Sequence, residues 1–128
     1  MTSTSPEVKE ALHVMDCHIN ALNTHDEKAL SQTMHFPHLR LSKASLKIWQ
    51  TPDDYFTDFR QRAGDSWSHS EFRDIQILAV SDVKVHLDAE IVRYDCDDNI
   101  VSQFRSLWVI IKENGTWAAK MRSSFAPQ

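Results

Sequence analysis

Glycine is nearly absent from this chain of 128 residues, which holds only Gly64 and Gly115. A GxGxxG dinucleotide turn needs more glycines than that, and no GxxxxGK(S/T) phosphate loop can be written around these two, so nucleotide binding in either form is excluded. Cysteine is equally scarce, at Cys17 and Cys96. Two thiols cannot make an all-cysteine zinc site. A chain of this length buries about 68–70% of its unfolded surface, so it needs no disulfide scaffold, and free thiols are expected in a reducing compartment. Long apolar runs are missing too. The longest is Leu107-Trp108-Val109-Ile110-Ile111, far short of the ~20 residues a membrane helix requires. The opening Met1-Thr2-Ser3-Thr4-Ser5-Pro6-Glu7 lacks a basic region followed by an apolar stretch; no secretory signal and a cytoplasmic location are the expectations. Lys/Arg runs are absent, and 14 basic against 18 acidic residues give a net charge of -4, which argues against a nucleic-acid partner.

What is present fits one soluble domain spanning 1–128, with 41% hydrophobic and 25% charged residues. Ser5-Pro6-Glu7 supplies an N-cap hydroxyl, a proline at the first helical position and an acid in the first turn. The first helix is predicted from about Pro6 to Leu22, with Val8, Leu12, Met15, Ile19 and Leu22 as its apolar stripe. Thr24-His25-Asp26-Glu27 reads as a capping box and Thr51-Pro52-Asp53-Asp54 as a second one with aspartate. A second helix is expected to end near His35. A third carries Tyr55, Phe56 and Phe59 and is expected to stop at Ala63-Gly64. Between them, His38-Leu39-Arg40-Leu41 and Leu46-Lys47-Ile48-Trp49 alternate as a short hairpin. Four strands follow near 69–80, 83–95, 100–113 and 116–125, broken at Ser81-Asp82, Asp97-Asp98-Asn99 and Asn114-Gly115. Helices followed by an antiparallel meander define an α+β class.

Strand register assigns the faces. With Asn114-Gly115 as a two-residue loop, Ile110 falls opposite Ala119, Trp108 opposite Met121, Ser106 opposite Ser123 and Phe104 opposite Phe125. Val85, Leu87, Ala89 and Ile91 join them on one apolar inner face that the helices cover. Ser106, Ser123 and Arg93 interrupt it, which predicts a cavity; the alternative pairs the serines with each other and sends Arg93 to the rim. The opposite face carries Leu107, Val109 and Ile111 beside Arg105, Lys120, Arg122, Asp88 and Glu90. A strand apolar on both sides predicts a second copy as its cover, hence a homodimer through the outer sheet face; the alternative is a solvated face of charge pairs.

The whole plan resembles the nuclear transport factor 2-like superfamily. Within it the chain is similar to the SnoaL-like group, through Ala21-Leu22-Asn23-Thr24-His25-Asp26, His35-Phe36-Pro37-His38-Leu39-Arg40-Leu41, and Gly115-Thr116-Trp117 with Arg122-Ser123-Ser124-Phe125. The resemblance implies a cone-shaped, cystatin-like fold, three N-terminal helices packed in the concave face of a curved, mainly antiparallel sheet. It also implies a pocket that in different members hosts isomerases, dehydratases, cyclases, epoxide hydrolases or non-catalytic association domains, so fold does not settle function.

His38 and Arg40 lie where the steroid-isomerase branch carries its proton-shuttling carboxylate. This chain has no aspartate there and no tyrosine on its first helix, so steroid-isomerase chemistry is not supported. The remaining roles are His38 as general base near neutral pH, Arg40 as binder of an anionic group and Asp74 as proton partner. Backbone-bonded His38 and ion-paired Arg40 are the plain alternatives. The turn at Ser81-Asp82 decides Asp74: two residues point Phe72, Asp74, Gln76 and Leu78 inward, three point Arg73, Ile75 and Ile77 inward. Trp49, Tyr55, Phe59, Trp67, Arg93, Phe104, Ser106, Trp108, Met121 and Ser123 are the expected ligand-binding residues, with Phe125 as a further aromatic wall. His13 and Cys17 lie one helical turn apart, but no third ligand follows, so no metal and no cofactor is expected. The functional expectation is a small-molecule-binding pocket, with cofactor-independent isomerase or dehydratase chemistry by general acid/base proton transfer on a small apolar metabolite. The alternative is a non-catalytic ligand-binding or dimerisation module of the same fold.

Overall fold

The computed structural model describes residues 5–63 and 66–127. Helix α1 runs Pro6–Asn23, α2 Glu27–Ser31 and α3 Pro52–Ala63; the strands are β1 Met34–Ser42, β2 Ser45–Trp49, β3 His69–Val80, β4 Lys84–Tyr94, β5 Ile100–Glu113 and β6 Thr116–Ser124. Gly64, the expected end of α3, lies outside the described residues. The strands form one open six-stranded sheet in the order β2-β1-β6-β5-β4-β3, antiparallel except for the parallel β1–β6 pair. None of the described helices is long and apolar enough to cross a membrane.

The helix caps explain where the chain turns. Ser5 Oγ accepts from the Val8 amide at 3.2 Å, and Thr51 Oγ1 accepts from Asp54 at 3.2 Å, so α1 and α3 start where their cap residues stand. The Thr24 capping box does not form. Thr24 instead closes α1, its hydroxyl donating to Asn20 O at 2.9 Å, and Asp26 caps α2 by accepting from Ala29 at 3.0 Å. His25 at φ 57° makes the turn between them. Helix α2 ends at Ser31 rather than near His35, because β1 already begins at Met34.

The core lies between α1 and the inner sheet face. Ala11, Val14 and Met15 pack on Val85, Leu87, Ala89, Trp108, Ile110 and Ala119. The buried stripe of α1 is Val8, Ala11, Val14, Met15, His18 and Ala21, rotated from the expected one so that Leu12, Ile19 and Leu22 are only half-buried. A second cluster joins Ala21, Leu30, Met34, Trp49, Tyr55 and Phe56 beneath α2 and α3. Lys47 of β2 reaches Asp58 of α3 at 3.1 Å, and Arg60 of α3 reaches Glu27 of α2 at 2.9 Å, two exposed pairs that tie the helices down.

Register shifts in β6 and β3 reorder the faces. Asn114 and Gly115, at φ 54° and 80°, form the two-residue loop, and Glu113 and Ile110 pair with Thr116 and Ala119 as expected. Beyond Ala119 the ladder then skips Lys120, so Val109 pairs with Met121, Trp108 with Arg122, Leu107 with Ser123 and Ser106 with Ser124. Every later side chain of β6 therefore changes face. Met121 and Ser123, expected in the pocket, stand on the outer face, and Phe125 lies beyond the strand at 74% exposure. In β3 the ladder shifts twice, between Arg73 and Gln76 and between Ile77 and Ala79. Phe72 points inward before the first shift, Ile75 and Ile77 pack against the core between the two, and Val80 packs against it after the second, so one expected register holds at both ends of the strand and the other in its middle.

Candidate functional site

The inner face carries a cleft bounded by α1, α3 and strands β1 and β3–β6. Its atom-free space is about 530 Å³, counted out into the open mouth, and little of it is enclosed. Phe59, Phe72, Phe104 and Trp108 form the apolar walls, with Ile19, Leu22 and Ile91 beside them.

The sheet register sets the polar groups. Arg122 faces inward because of the skipped Lys120, and its guanidinium carbon lies 5.0 Å from the Trp108 ring centroid. It donates to Tyr55 Oη at 3.1 Å from the helix side. Arg40 is its register partner on β1 and is buried. Arg93 of β4 lies over Phe104 at 4.7 Å. Ser106 and Ser124 stand opposite each other, and both are buried. Arg40, Arg93 and Arg122 line this cleft, and no Asp or Glu side chain is among the described residues that do.

His18 is the titratable group of α1 in the cleft. Thr33 Oγ1 donates to Leu30 O at 2.7 Å, which commits its only proton. The same oxygen sits 2.8 Å from His18 Nδ1 and therefore accepts from it. His18 is thus the Nδ1–H tautomer, and its Nε2 carries a lone pair with no hydrogen-bond partner among the described residues. Trp108 and Phe72 hold the ring, at centroid distances of 5.0 and 6.4 Å. Burial first, then the charges of Arg122 and His38, push its pKa well below the ordinary value.

His38 is placed differently from the expectation. Its side chain is fully buried outside the cleft lining, with Nδ1 donating to Ala119 O at 3.0 Å. Trp49 and Tyr55 pack on it, and burial followed by the Arg122 charge lowers its pKa to about 3. The structure therefore does not bring His38 to the cleft, which corrects the place given to it. Asp74 is corrected too. At φ 51° in the β3 shift it turns to the outer face, where Arg105 donates to its carbonyl oxygen at 3.1 Å and lies 3.4 Å from its carboxylate. Of the other expected residues, Arg40, Tyr55, Phe59, Arg93, Phe104, Ser106 and Trp108 line the cleft. Trp49 lies behind it against His38. Trp67 lines a neighbouring hollow under α2, donating to Ser70 Oγ at 2.8 Å.

Sequence reasoning missed His18 and Ser124, and it set Arg122 on the outer face, whereas the skipped Lys120 turns it into the cleft. Position 18 falls three residues after Met15 and four before Leu22, so the helical stripe itself contained the signal for His18. Cys17 and Cys96 carry free thiols, and Cys17 Sγ lies 3.4 Å from His13 Nε2. Among the described residues no three or more His, Cys, Asp or Glu side chains gather as a metal ion would require.

No protein-family model and no curated protein matches the chain. Solved structures do. A nuclear transport factor 2-like protein of unknown function from Shewanella oneidensis MR-1 superposes with a TM-score of 0.76 at 13% identity, covering 91% of this chain and 97% of its own. A protein of unknown function with a cystatin-like fold from Nostoc punctiforme PCC 73102 gives 0.78 at 12%, covering 95% and 92%. A candidate ketosteroid isomerase from Shewanella frigidimarina gives 0.70 at 14%, covering 90% and 94%. The chain has the nuclear transport factor 2-like, cystatin-like fold, and identities of 12–14% establish that fold alone.

Proposed function

We propose that this protein binds a small, one-ring, mostly apolar molecule in the inner cleft and moves a proton on it at His18. The observation that carries the reading is the fixed tautomer: Thr33 holds His18 by Nδ1 and leaves Nε2 as an acceptor on the cleft side of α1. Burial keeps His18 neutral, so its Nε2 lone pair is open to take a proton next to a carbonyl, and Arg122 in the same cleft stabilises the oxyanion that forms. The reaction class is isomerase or lyase, and the fold likeness to a candidate ketosteroid isomerase supports it. The small enclosed part of the cleft favours a substrate smaller than a steroid.

The test is deuterium exchange. One-ring ketones and enoates are incubated with the protein in D2O, and exchange beside the carbonyl is followed by proton NMR. The wild type accelerates exchange and His18→Gln loses at least about a hundredfold of that acceleration, the lower end of what a positioned base contributes. Binding without accelerated exchange in the wild type would replace this reading with a non-catalytic ligand-binding module.

The outer face supports a homodimer. Ile48, Leu39, Met121 and Val109 form one row across β2, β1, β6 and β5, and Leu46, Leu41 and Leu107 line the next, interrupted by Ser123. Ile48, Leu46, Leu41 and Met121 are 51%, 55%, 41% and 38% exposed, a contiguous apolar surface that a second copy would cover. The charged half, where Arg105 donates to Asp88 at 2.7 Å and Gln103 to Glu90 at 2.6 Å, lies toward β3 and β4 and is self-satisfied.

A further inference from the structure

We propose that the cleft selects an anionic ligand, a one-ring aromatic carboxylate, with its acid group against Arg122 and its ring among Phe59, Phe72 and Phe104. This rests on the reading of the cleft as a ligand site and adds the charge and chemical class of the ligand.

The first support is the kind of polar atom the site leaves unsatisfied. Ser106 Oγ, Trp108 Nε1 and Arg122 Nε are buried without a hydrogen-bond partner among the described residues. Indole and guanidinium N–H groups can only donate, and the serine hydroxyl donates as readily as it accepts. A cluster of orphaned donors is short of an acceptor. The three belong together: Trp108 and Arg122 are register partners, and Ser106 is the next inward residue along β5, so all lie within one cross-strand neighbourhood. A carboxylate, with two oxygens and about four lone-pair sites, matches such a cluster better than a neutral carbonyl does.

Charge gives the second support. Arg122 meets a tyrosine hydroxyl and two ring faces, and no carboxylate within ion-pair distance among the described residues. Arg40 is its register partner on β1 and lines the same cleft. The body of the ligand follows from the walls, since aromatic side chains at contact distance favour a planar ring and exclude a small inorganic ion as the best fit.

The proposal is tested with a matched pair, 4-fluorobenzoate and 4-fluorobenzamide, titrated against the full-length protein by fluorine NMR near neutral pH. The two compounds share ring and size and differ in charge. The acid binds about tenfold to a hundredfold more tightly, as one or two charge-assisted hydrogen bonds dictate. Arg122→Gln lowers acid affinity at least tenfold, leaves amide affinity within threefold, and so removes the preference, whereas Arg122→Lys restores part of it. Equal affinities for acid and amide in the wild type would overturn the anionic selectivity while leaving the cleft a ligand site. No binding of either compound at millimolar concentration would overturn the proposal together with the reading on which it rests. Both of these outcomes are observed on the wild-type protein and do not depend on the folding of a variant.

Discussion

Arg122 stands directly across from Trp108 on the inner sheet face, and it does so because the β5–β6 ladder skips Lys120. One unpaired residue exchanges a methionine for a cation in the cleft. The same guanidinium lowers the pKa of both buried histidines, second in size only to burial itself. Arg122→Met keeps the stem packed on Trp108 while deleting the charge. His18 and His38 should then titrate at higher pH than in the wild type, yet still below the ordinary value, as read by carbon-bound proton shifts of the two rings. Unchanged titration would show that Arg122 is turned away from the cleft in solution.

Acid stability follows from the same two rings. Burial and the Arg122 charge keep His18 and His38 neutral, His38 down to about 3, with Lys120 and His35 adding to the effect on His38 and the Ala119 carbonyl opposing it. In the unfolded chain each ring returns to about 6.5. Below that pH the unfolded state binds protons the folded state refuses, so this stability is complete above about 6.5 and is lost as pH falls toward the folded values. The limiting slope is about 1.4 kcal/mol per pH unit for each ring. Glu71 and Asp95, held below the carboxylate range by Tyr94 and by the Asn99 amide, contribute only at lower pH. Urea midpoints are therefore expected to drop between pH 6.5 and 5, and His38→Gln should flatten that drop. A flat profile over this window would contradict the placement of both rings.

Ser106 offers a separation of stability from binding. Its hydroxyl is buried and has no hydrogen-bond partner among the described residues, so Ser106→Ala removes a desolvated group at almost no packing cost. Urea unfolding should show a change within about 1 kcal/mol, on the stabilising side. Affinity for 4-fluorobenzoate should fall severalfold. A loss of stability well beyond that range would mean that the hydroxyl is satisfied within the protein itself.

Self-association is expected to depend on the apolar rows of β2, β1 and β6. Ile48→Glu combined with Met121→Glu places charges in a surface that a second copy covers, and burying unpaired charges is costly. Sedimentation velocity should report a dimer for the wild type and a monomer for the double variant. A wild-type monomer at tens of micromolar would remove the dimer.

The plan of the fold was legible because local chemistry marks it. Ser5, Thr51 and the Asn114-Gly115 turn act within a few residues of themselves, and strand runs and turn residues do the same. The two competing cap residues, Thr24 and Asp26, lie two positions apart and both satisfy the rule, so only the packing of α2 decides between them. The site was less legible because it depends on counts that a single skipped residue inverts. Parity along β6 from Ala119 onward reads Met121 and Ser123 inward, and nothing in Lys120 itself announces the shift. Asp74 fails for the same reason within β3. His18 fits the helical period of α1, but a stripe drawn through aliphatic residues alone passes it by.

The most direct measurement is long-range proton–nitrogen NMR of the histidine rings at neutral pH, before and after addition of 4-fluorobenzoate. His18 and His38 should both be neutral Nδ1–H tautomers, and ligand should move the Nε2 resonance of His18 further than that of His38. A charged or Nε2–H His18, or a ligand response centred on His38, would contradict the assignment of the cleft and its base.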